Sequence, residues 1–152
     1  MKFAVDCMLG KLAKWLRILG FDAAFFPAIA DEELLRIARE ERRVLLTRDT
    51  ALLERARDKD ALFIASDDWR LQLQQVLDGK NLRSRCKPYS RCLECNVRLK
   101  SVSKARARNL VAPFVYETAR EFSLCPECGR VFWKGSHHED MERMIEQMLR
   151  KK

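Results

Sequence analysis

The sequence predicts an α/β protein in which a parallel sheet flanked by helices is followed by a small zinc ribbon and a C-terminal helix. Two observations favour this fold class. In the first half, short apolar runs alternate with amphipathic helical segments, the pattern of successive β-α units. In the second half, two Cys-x-x-Cys pairs stand 29 residues apart and an amphipathic stripe follows them.

The first half of the chain contains four β-α units. The apolar runs lack strict alternation, as expected for parallel strands covered on both faces. The predicted strands cover residues 3–5, 23–26, 44–46 and 62–65. The first predicted helix covers residues 8–19, the second begins at Asp31, the third begins after Asp49, and the fourth runs from Ser66 to about Leu77. Asp31 is expected to be an N-cap, because two glutamates follow it in the first helical turn.

The second half shows fewer regular patterns, apart from an apolar run at residues 132–133 and a helical stripe near the C-terminus. Two residues between the cysteines of each pair allow both thiolates to reach one ion, so Cys92, Cys95, Cys125 and Cys128 are predicted to bind a structural zinc. We expect this ion to replace a missing apolar core. The predicted domains are an α/β domain (1–79), a basic linker (80–91), a zinc ribbon (92–136) and a C-terminal amphipathic helix (137–152).

The net charge of +8 is unevenly distributed. Residues 1–78 hold 13 basic and 14 acidic side chains, whereas residues 79–152 hold 17 and 8. Between Lys80 and Arg108 there are ten basic residues and one acid, Glu94. Such a segment suits the phosphates of a polyanion, and the alternative interpretation is a solvated linker.

No apolar run approaches the roughly 18 residues of a membrane span. Charged residues, among them Asp6 and Lys11, also interrupt any signal-peptide pattern at the N-terminus. We therefore expect a cytoplasmic protein with reduced cysteines and no membrane partner.

Acidic residues follow the predicted strands at the points where these end. Asp6 follows the first strand, Asp49 the third and Asp67 the fourth, and Asp31 lies beyond the second. Because the carboxyl ends of parallel strands meet at one edge, these four acids are candidate catalytic residues that would hold Mg²⁺ or Mn²⁺. For Asp31 and Asp67, an N-cap role is an equally good interpretation.

Basic residues near these acids and in the linker, together with a histidine after the second cysteine pair, are candidates for substrate binding. The candidate residues are Lys11, Lys14, Arg48, Arg83, Arg85, Lys87 and His137. Arg17 fits an ordinary solvated helix face better. Thr47 is expected to orient Asp49 through its hydroxyl. His137 and His138 would either complete a zinc site or lie near RNA, and Cys86 is a spare thiol that we do not expect to bind zinc.

Long ordered motifs connect these features to a known family. They are the run at residues 6–17 (DCMLGKLAKWLR), Leu-Thr-Arg-Asp at 46–49, Ser-Arg-Cys at 84–86, Cys-x-x-Cys-Asn at 92–96, Cys-Pro-x-Cys-Gly at 125–129 and Phe-Trp-x-Gly-Ser-His at 132–137. Together they resemble the mutator-type C-terminal RNase domain family, which joins a PIN-like nuclease domain to a zinc ribbon. The resemblance covers nearly the whole chain.

The resemblance implies a PIN-like fold and metal-dependent cleavage of RNA. It implies that Asp6 and Asp49 bind the catalytic Mg²⁺ or Mn²⁺, Asp49 through the Thr-x-Asp pattern of PIN-like nucleases. Asp31 stands where many PIN domains have a helical glutamate, and either Asp67 or Asp68 would be the fourth acid. The main hypothesis is a metal-dependent ribonuclease whose zinc ribbon and basic segment aid RNA binding. The alternative is a non-catalytic RNA- or ribosome-binding module that retains the fold.

Overall fold

The structure is a computed structural model, and it describes residues 1–56, 60–135 and 137–150 of the chain. Ser136, from the last of the family motifs, and residues 151–152 of the predicted C-terminal helix lie outside the described residues. The chain divides into two compact units, Met1–Asn96 and Val97–Lys152. The domain bounds expected from the sequence stay a prediction.

The first unit contains a four-stranded parallel sheet with the order β2-β1-β3-β4. Its strands are β1 (Lys2–Val5), β2 (Asp22–Phe25), β3 (Val44–Thr47) and β4 (Ala61–Phe63). The β1 register pairs Val5 with Phe25 on one side and with Leu46 on the other. The strand order reverses between β1 and β3, because the chain goes from β1 to one edge and from β3 to the other.

Helices connect the strands of this sheet. They are α1 (Gly10–Ile18), α2 (Asp31–Glu40), α3 (Thr50–Ala56) and α4 (Trp69–Gly79), and a short 3-10 turn at Cys7–Leu9 precedes α1. Leu34 of α2 and Leu52 of α3 pack with Ala4 and Leu45 in one apolar cluster. The α/β fold with a parallel sheet flanked by helices is thereby confirmed.

The second unit is more regular than the sequence predicts. It holds an antiparallel sheet of the order β5-β6-β7, formed by Lys100–Val102, Phe122–Leu124 and Val131–Trp133. Two short helices, α5 (Lys104–Ala107) and α6 (Pro113–Thr118), lie between β5 and β6. The expectation that metal replaces a missing core was wrong, because Ala107, Ala119 and Phe122 are buried together against four valines.

The chain ends in the helix α7 (His138–Leu149), which confirms the predicted C-terminal helix. Ile145 and Met148 are its buried residues, while Glu139 and Asp140 lie in the first turn, where the helix dipole favours acids. None of the described helices is long and apolar enough to cross a membrane.

Candidate active site and metal centre

Asp6 and Asp49 lie at the carboxyl ends of the two central strands. Asp6 directly follows β1, and Asp49 lies two residues beyond β3. These strands are neighbours, and the strand order reverses between them. In open parallel sheets, ligands bind outside the carboxyl ends of the strands at such a switch point. The topology therefore places both acids where a ligand site is expected.

The hydroxyl of Thr47, a fully buried residue, connects the two acids. It donates a hydrogen bond to Asp6 Oδ2 at 2.7 Å and accepts one from the backbone N–H of Asp49 at 2.9 Å. The hydroxyl thus orients the carboxylate of Asp6, whereas Asp49 is held through its backbone. The expectation that Thr47 orients Asp49 through its hydroxyl holds for the Asp49 backbone, whose N–H the hydroxyl oxygen accepts, while the hydroxyl's single proton goes to Asp6.

Both carboxylates have further backbone donors. The N–H of Cys7 donates to Asp6 Oδ1 at 2.7 Å, and Asp6 is only 6% exposed. Asp49 Oδ1 accepts from the N–H groups of Ala51 and Leu52 at the start of α3, so this side chain caps the helix. Within the described parts of the chain, Asp49 Oδ2 accepts no hydrogen bond, so both of its lone pairs remain for another ligand.

The other two predicted acids occupy different settings. Asp31 is the first residue of α2, whose N-cap is Ala30, so the predicted capping role of Asp31 was wrong. Its carboxylate faces Arg55 Nη1 at 3.3 Å. Asp67 is exposed, and Asp68 rather than Asp67 caps α4 by accepting from the N–H of Arg70. Among the described residues, no three acids form a group that could hold one metal ion.

The basic residues predicted near the acids are spread over several elements. Lys11 and Lys14 are exposed on α1, and the ammonium of Lys11 lies 5.2 Å from the ring centre of Trp69. That ring stacks on Trp15 at 4.7 Å. Arg48 is half-buried beside Asp49. The position of Trp69 could not be inferred from the sequence, because it depends on how α4 packs against α1.

The predicted RNA-binding residues beyond the sheet differ in how freely their charge is presented. Arg83 forms two hydrogen bonds to the carboxylate of Asp78, and its side chain is 15% exposed. Arg85, Lys87 and His137 are exposed. His138 differs from His137, since its Nε2 lies 2.7 Å from Glu142 Oε1 within α7.

The four cysteines predicted to bind zinc do form one group. The sulfur atoms of Cys92, Cys95, Cys125 and Cys128 all lie within 4.8 Å of one another, and it is the one group of its kind among the described residues. Cys92 and Cys125 are fully buried. Cys86 lies outside this group, and burial raises the pKa of its thiol to about 11.

The two cysteine pairs share one local geometry. In each, the N–H of the second cysteine donates to the sulfur of the first, at 3.4 Å for Cys95 and 3.5 Å for Cys128. In each, the next residue adopts a positive φ, 60° at Asn96 and 73° at Gly129. Four clustered sulfurs, of which those of Cys92 and Cys125 accept a backbone N–H, match the ligand set of a structural zinc, so the residues present fit that ion.

Sequence reasoning missed a set of contacts that hold the first cysteine pair against the parallel sheet. Arg17 is half-buried rather than solvated, and its Nη1 donates to the carbonyl of Leu93 at 2.6 Å. Burial lowers the pKa of this guanidinium. The amide of Asn96 accepts from the N–H of Ala23 and donates to Asp22 Oδ1. The Cys-x-x-Cys-Asn pattern carried the signal, because asparagine tolerates the left-handed backbone and offers both hydrogen-bonding groups.

The comparisons with known proteins agree with the motifs. The model of the Mut7-C RNAse domain family matches residues 1–145, nearly the whole chain. No curated protein and no solved structure gives a significant match. The family match includes both acids joined through Thr47 and all four clustered cysteines. The chain therefore belongs to the Mut7-C RNAse domain family, and its function is of the ribonuclease type.

Proposed function

We propose that this protein hydrolyses RNA phosphodiester bonds with Mg²⁺ or Mn²⁺ held by Asp6 and Asp49. The observation that carries the proposal is the hydrogen-bonded link from Asp6 through Thr47 to Asp49 at the switch point of the sheet. Family membership supports the reaction class and RNA as substrate.

The donor set suits a hard cation. Mg²⁺ keeps several waters and is commonly bound by one or two carboxylates together with substrate phosphate oxygens. Two acids therefore suffice. Each oxygen of Asp6 accepts one backbone or hydroxyl hydrogen bond and keeps a second lone pair. When bound, the ion supplies activation of a water and stabilisation of the charge that develops on the phosphate.

The protein's own residues fix the site before the substrate arrives. Thr47 and the Cys7 N–H hold the Asp6 carboxylate on both oxygens, and the α3 backbone holds one oxygen of Asp49. Such fixed donors lower the cost of organising the site during reaction. Asp31 and Asp67 remain proposed helpers that would meet substrate or a second ion. Lys11, Lys14 and Arg48 are proposed to contact the phosphates.

The zinc group has a separate proposed role. Four cysteine ligands close the coordination of the ion, which is the arrangement of a structural rather than a catalytic zinc. We therefore assign zinc to folding of the ribbon, and we assign RNA hydrolysis to the acids alone. Removing a carboxylate should affect cleavage without loss of zinc.

The test is cleavage of a labelled single-stranded RNA with Mn²⁺ by the parent and by Asp49→Asn. Asparagine still caps α3, so folding should be kept, while the lost charge weakens the hold on the cation. We expect cleavage to fall at least about a hundredfold, which corresponds to about 2.7 kcal/mol of transition-state stabilisation. Asp6→Asn should behave similarly.

Glu117→Gln is the matched control, because Glu117 is an exposed acid of the second unit. It should cleave at the parental rate. Asp31→Asn and Asp67→Asn measure whether those acids contribute. Cleavage by Asp49→Asn and Asp6→Asn at the parental rate would refute the proposed site and assign the activity to other residues or to a contaminant.

A further inference from the structure

We propose that exposed side chains of α5, α6 and their connection bind single-stranded RNA, with bases stacking on Phe114 and phosphates on the flanking arginines. We call this surface the α5–α6 platform, defined by Lys104, Arg106, Arg108, Leu110 and Phe114. The proposal rests on the proposed ribonuclease function and adds a binding site for its substrate class.

The platform has a fixed scaffold. Ser103 caps α5 by accepting from the N–H of Arg106, and Ala107 of α5 is buried in the small core of the second unit, against which Val115 of α6 also packs. The ammonium of Lys104 lies 4.9 Å from the ring centre of Tyr116. The two short helices are therefore connected through the contact of Lys104 with Tyr116 and through the core they share.

Apolar groups are unusually exposed on this surface. Phe114 is 74% exposed, the highest fraction among the large hydrophobic residues found exposed in the described chain, and Leu110 is 49% exposed. A single exposed apolar side chain needs no explanation, but an aromatic ring this open on a packed scaffold offers a stacking face.

The stretch of chain that leads to the ring carries only positive charge, and the first acid after it is Glu117, three residues beyond Phe114 on α6. Residues 97–116 contain five basic residues and no acid. The five are Arg98, Lys100, Lys104, Arg106 and Arg108, and all are exposed. In the described parts of the chain, none of the recorded ion pairs involves them. Their charge is therefore free for an external anion.

The basic linker predicted from the sequence offers less free charge. Arg83 is paired with Asp78, and Arg91 donates to the backbone carbonyls of Gly20 and Asn96. Arg85 and Lys87 are the exposed cations of this part. Exposed basic side chains that form no ion pair among the described residues are therefore more numerous at residues 98–108 than at residues 80–91.

An exposed aromatic ring together with basic side chains that form no ion pairs is a combination suited to binding single-stranded nucleic acid. Nonspecific single-strand binders combine a basic surface that follows the backbone with aromatic side chains on which bases stack. A duplex would keep its bases stacked and unavailable to Phe114. A protein partner would need an acidic surface, and binding to such a partner becomes an outcome of the test.

The experiment measures binding of a fluorescently labelled single-stranded RNA to the full chain carrying Asp49→Asn, with RNA integrity checked on a gel. In this background, Phe114→Ala should weaken binding about 5- to 160-fold, the range for losing one base stack. Phe114→Trp should retain binding. Phe114→Leu should bind as weakly as Phe114→Ala, since it keeps the apolar surface but not the ring.

The arginines are tested by their salt dependence. Arg106→Ala/Arg108→Ala should reduce the slope of log affinity against log salt by about 1.4, because each lost single-strand phosphate contact contributes about 0.7. The matched control is Arg39→Ala/Arg120→Ala, which removes the same charge from exposed positions elsewhere. That control should keep nearly the parental slope.

Parental affinity in both Phe114→Ala and Arg106→Ala/Arg108→Ala would overturn the platform. Equal binding by Phe114→Leu and the parent would also overturn it, since that result indicates general apolar contact of the kind a protein partner makes. Neither result depends on cleavage. If the parent cleaves RNA and the platform variants bind RNA as tightly as the Asp49→Asn protein, only the platform proposal fails. If the parent does not cleave RNA, only the ribonuclease proposal fails.

Discussion

Replacing Thr47 by valine tests whether the buried hydroxyl organises the two acids. Valine has nearly the same shape, so the packing of this fully buried position is retained. The change removes the donor to Asp6 Oδ2 and the acceptor for the Asp49 N–H. Any effect therefore reports the two hydrogen bonds rather than a cavity.

The magnitude follows from the two bonds. A hydrogen bond to a charged group contributes about 1.5–3 kcal/mol and a neutral one about 0.5–1.5 kcal/mol, so Thr47→Val should lower the free energy of unfolding by about 2–4.5 kcal/mol. Thr47→Ser keeps the hydroxyl and loses one buried methyl group, which costs about 1 kcal/mol. The valine variant should therefore be the less stable of the two.

The assays are urea unfolding without added Mg²⁺ or Mn²⁺ and RNA cleavage with Mn²⁺. Thr47→Ser should cleave near the parental rate, whereas Thr47→Val should be impaired because Asp6 has lost one of its two fixed donors. In an Asp6→Asn background, the stability cost of Thr47→Val should shrink, since a neutral amide replaces the charged acceptor. A valine variant as stable and as active as the serine variant would refute the reasoning.

Two further predictions concern the zinc group and the contacts beside it. Cys125→Ser should lose the zinc measured by elemental analysis and melt at a lower temperature, because structural zinc contributes on the order of 10 kcal/mol to folding; full zinc content would contradict the assignment. Burial raises the pKa of the Asp22 carboxyl, but hydrogen bonds from Arg43 and Asn96 outweigh burial and hold this pKa below its ordinary value. These bonds stabilise the folded protein at pH values above the pKa that Asp22 has in the unfolded chain. The stabilisation is lost as the pH falls through the lower pKa that Asp22 has in the folded protein. The stability difference between the parent and Asp22→Asn should therefore narrow on acidification, and a constant difference in urea titrations would contradict this.

Much of the first unit could be predicted from the sequence because its signals are local. Apolar runs and helical stripes set the strands and helices, and a parallel sheet brings the ends of its strands to one edge. Asp6 and Asp49 were placed correctly at strand ends by this logic. What the sequence could not supply was the partner of each carboxylate, such as Arg55 for Asp31, because that depends on how α2 and α3 are packed.

The second unit was harder to predict for a physical reason. Its strands are three residues long, too short for a period of two to be recognised. Two of the three buried core residues, Ala107 and Ala119, are small and do not stand out in a basic, polar segment. The cysteine spacing was informative because it encodes a chemical requirement of one ion rather than a packing pattern.

The chain between the sheet and the first cysteine pair is a packed segment and not a free tether. The N–H groups of Lys87 and Tyr89 donate to the carbonyls of Leu19 and Ile18, both at 2.9 Å. Gly20 permits this contact: its φ is +89°, and a Cβ there would stand 2.3 Å from the carbonyl oxygen of Lys87. Only glycine satisfies both the backbone angle and the close approach. The same packing fixes the backbone that leads to Cys92, so part of the entropy cost of assembling the zinc ligands is met by folding of the first unit.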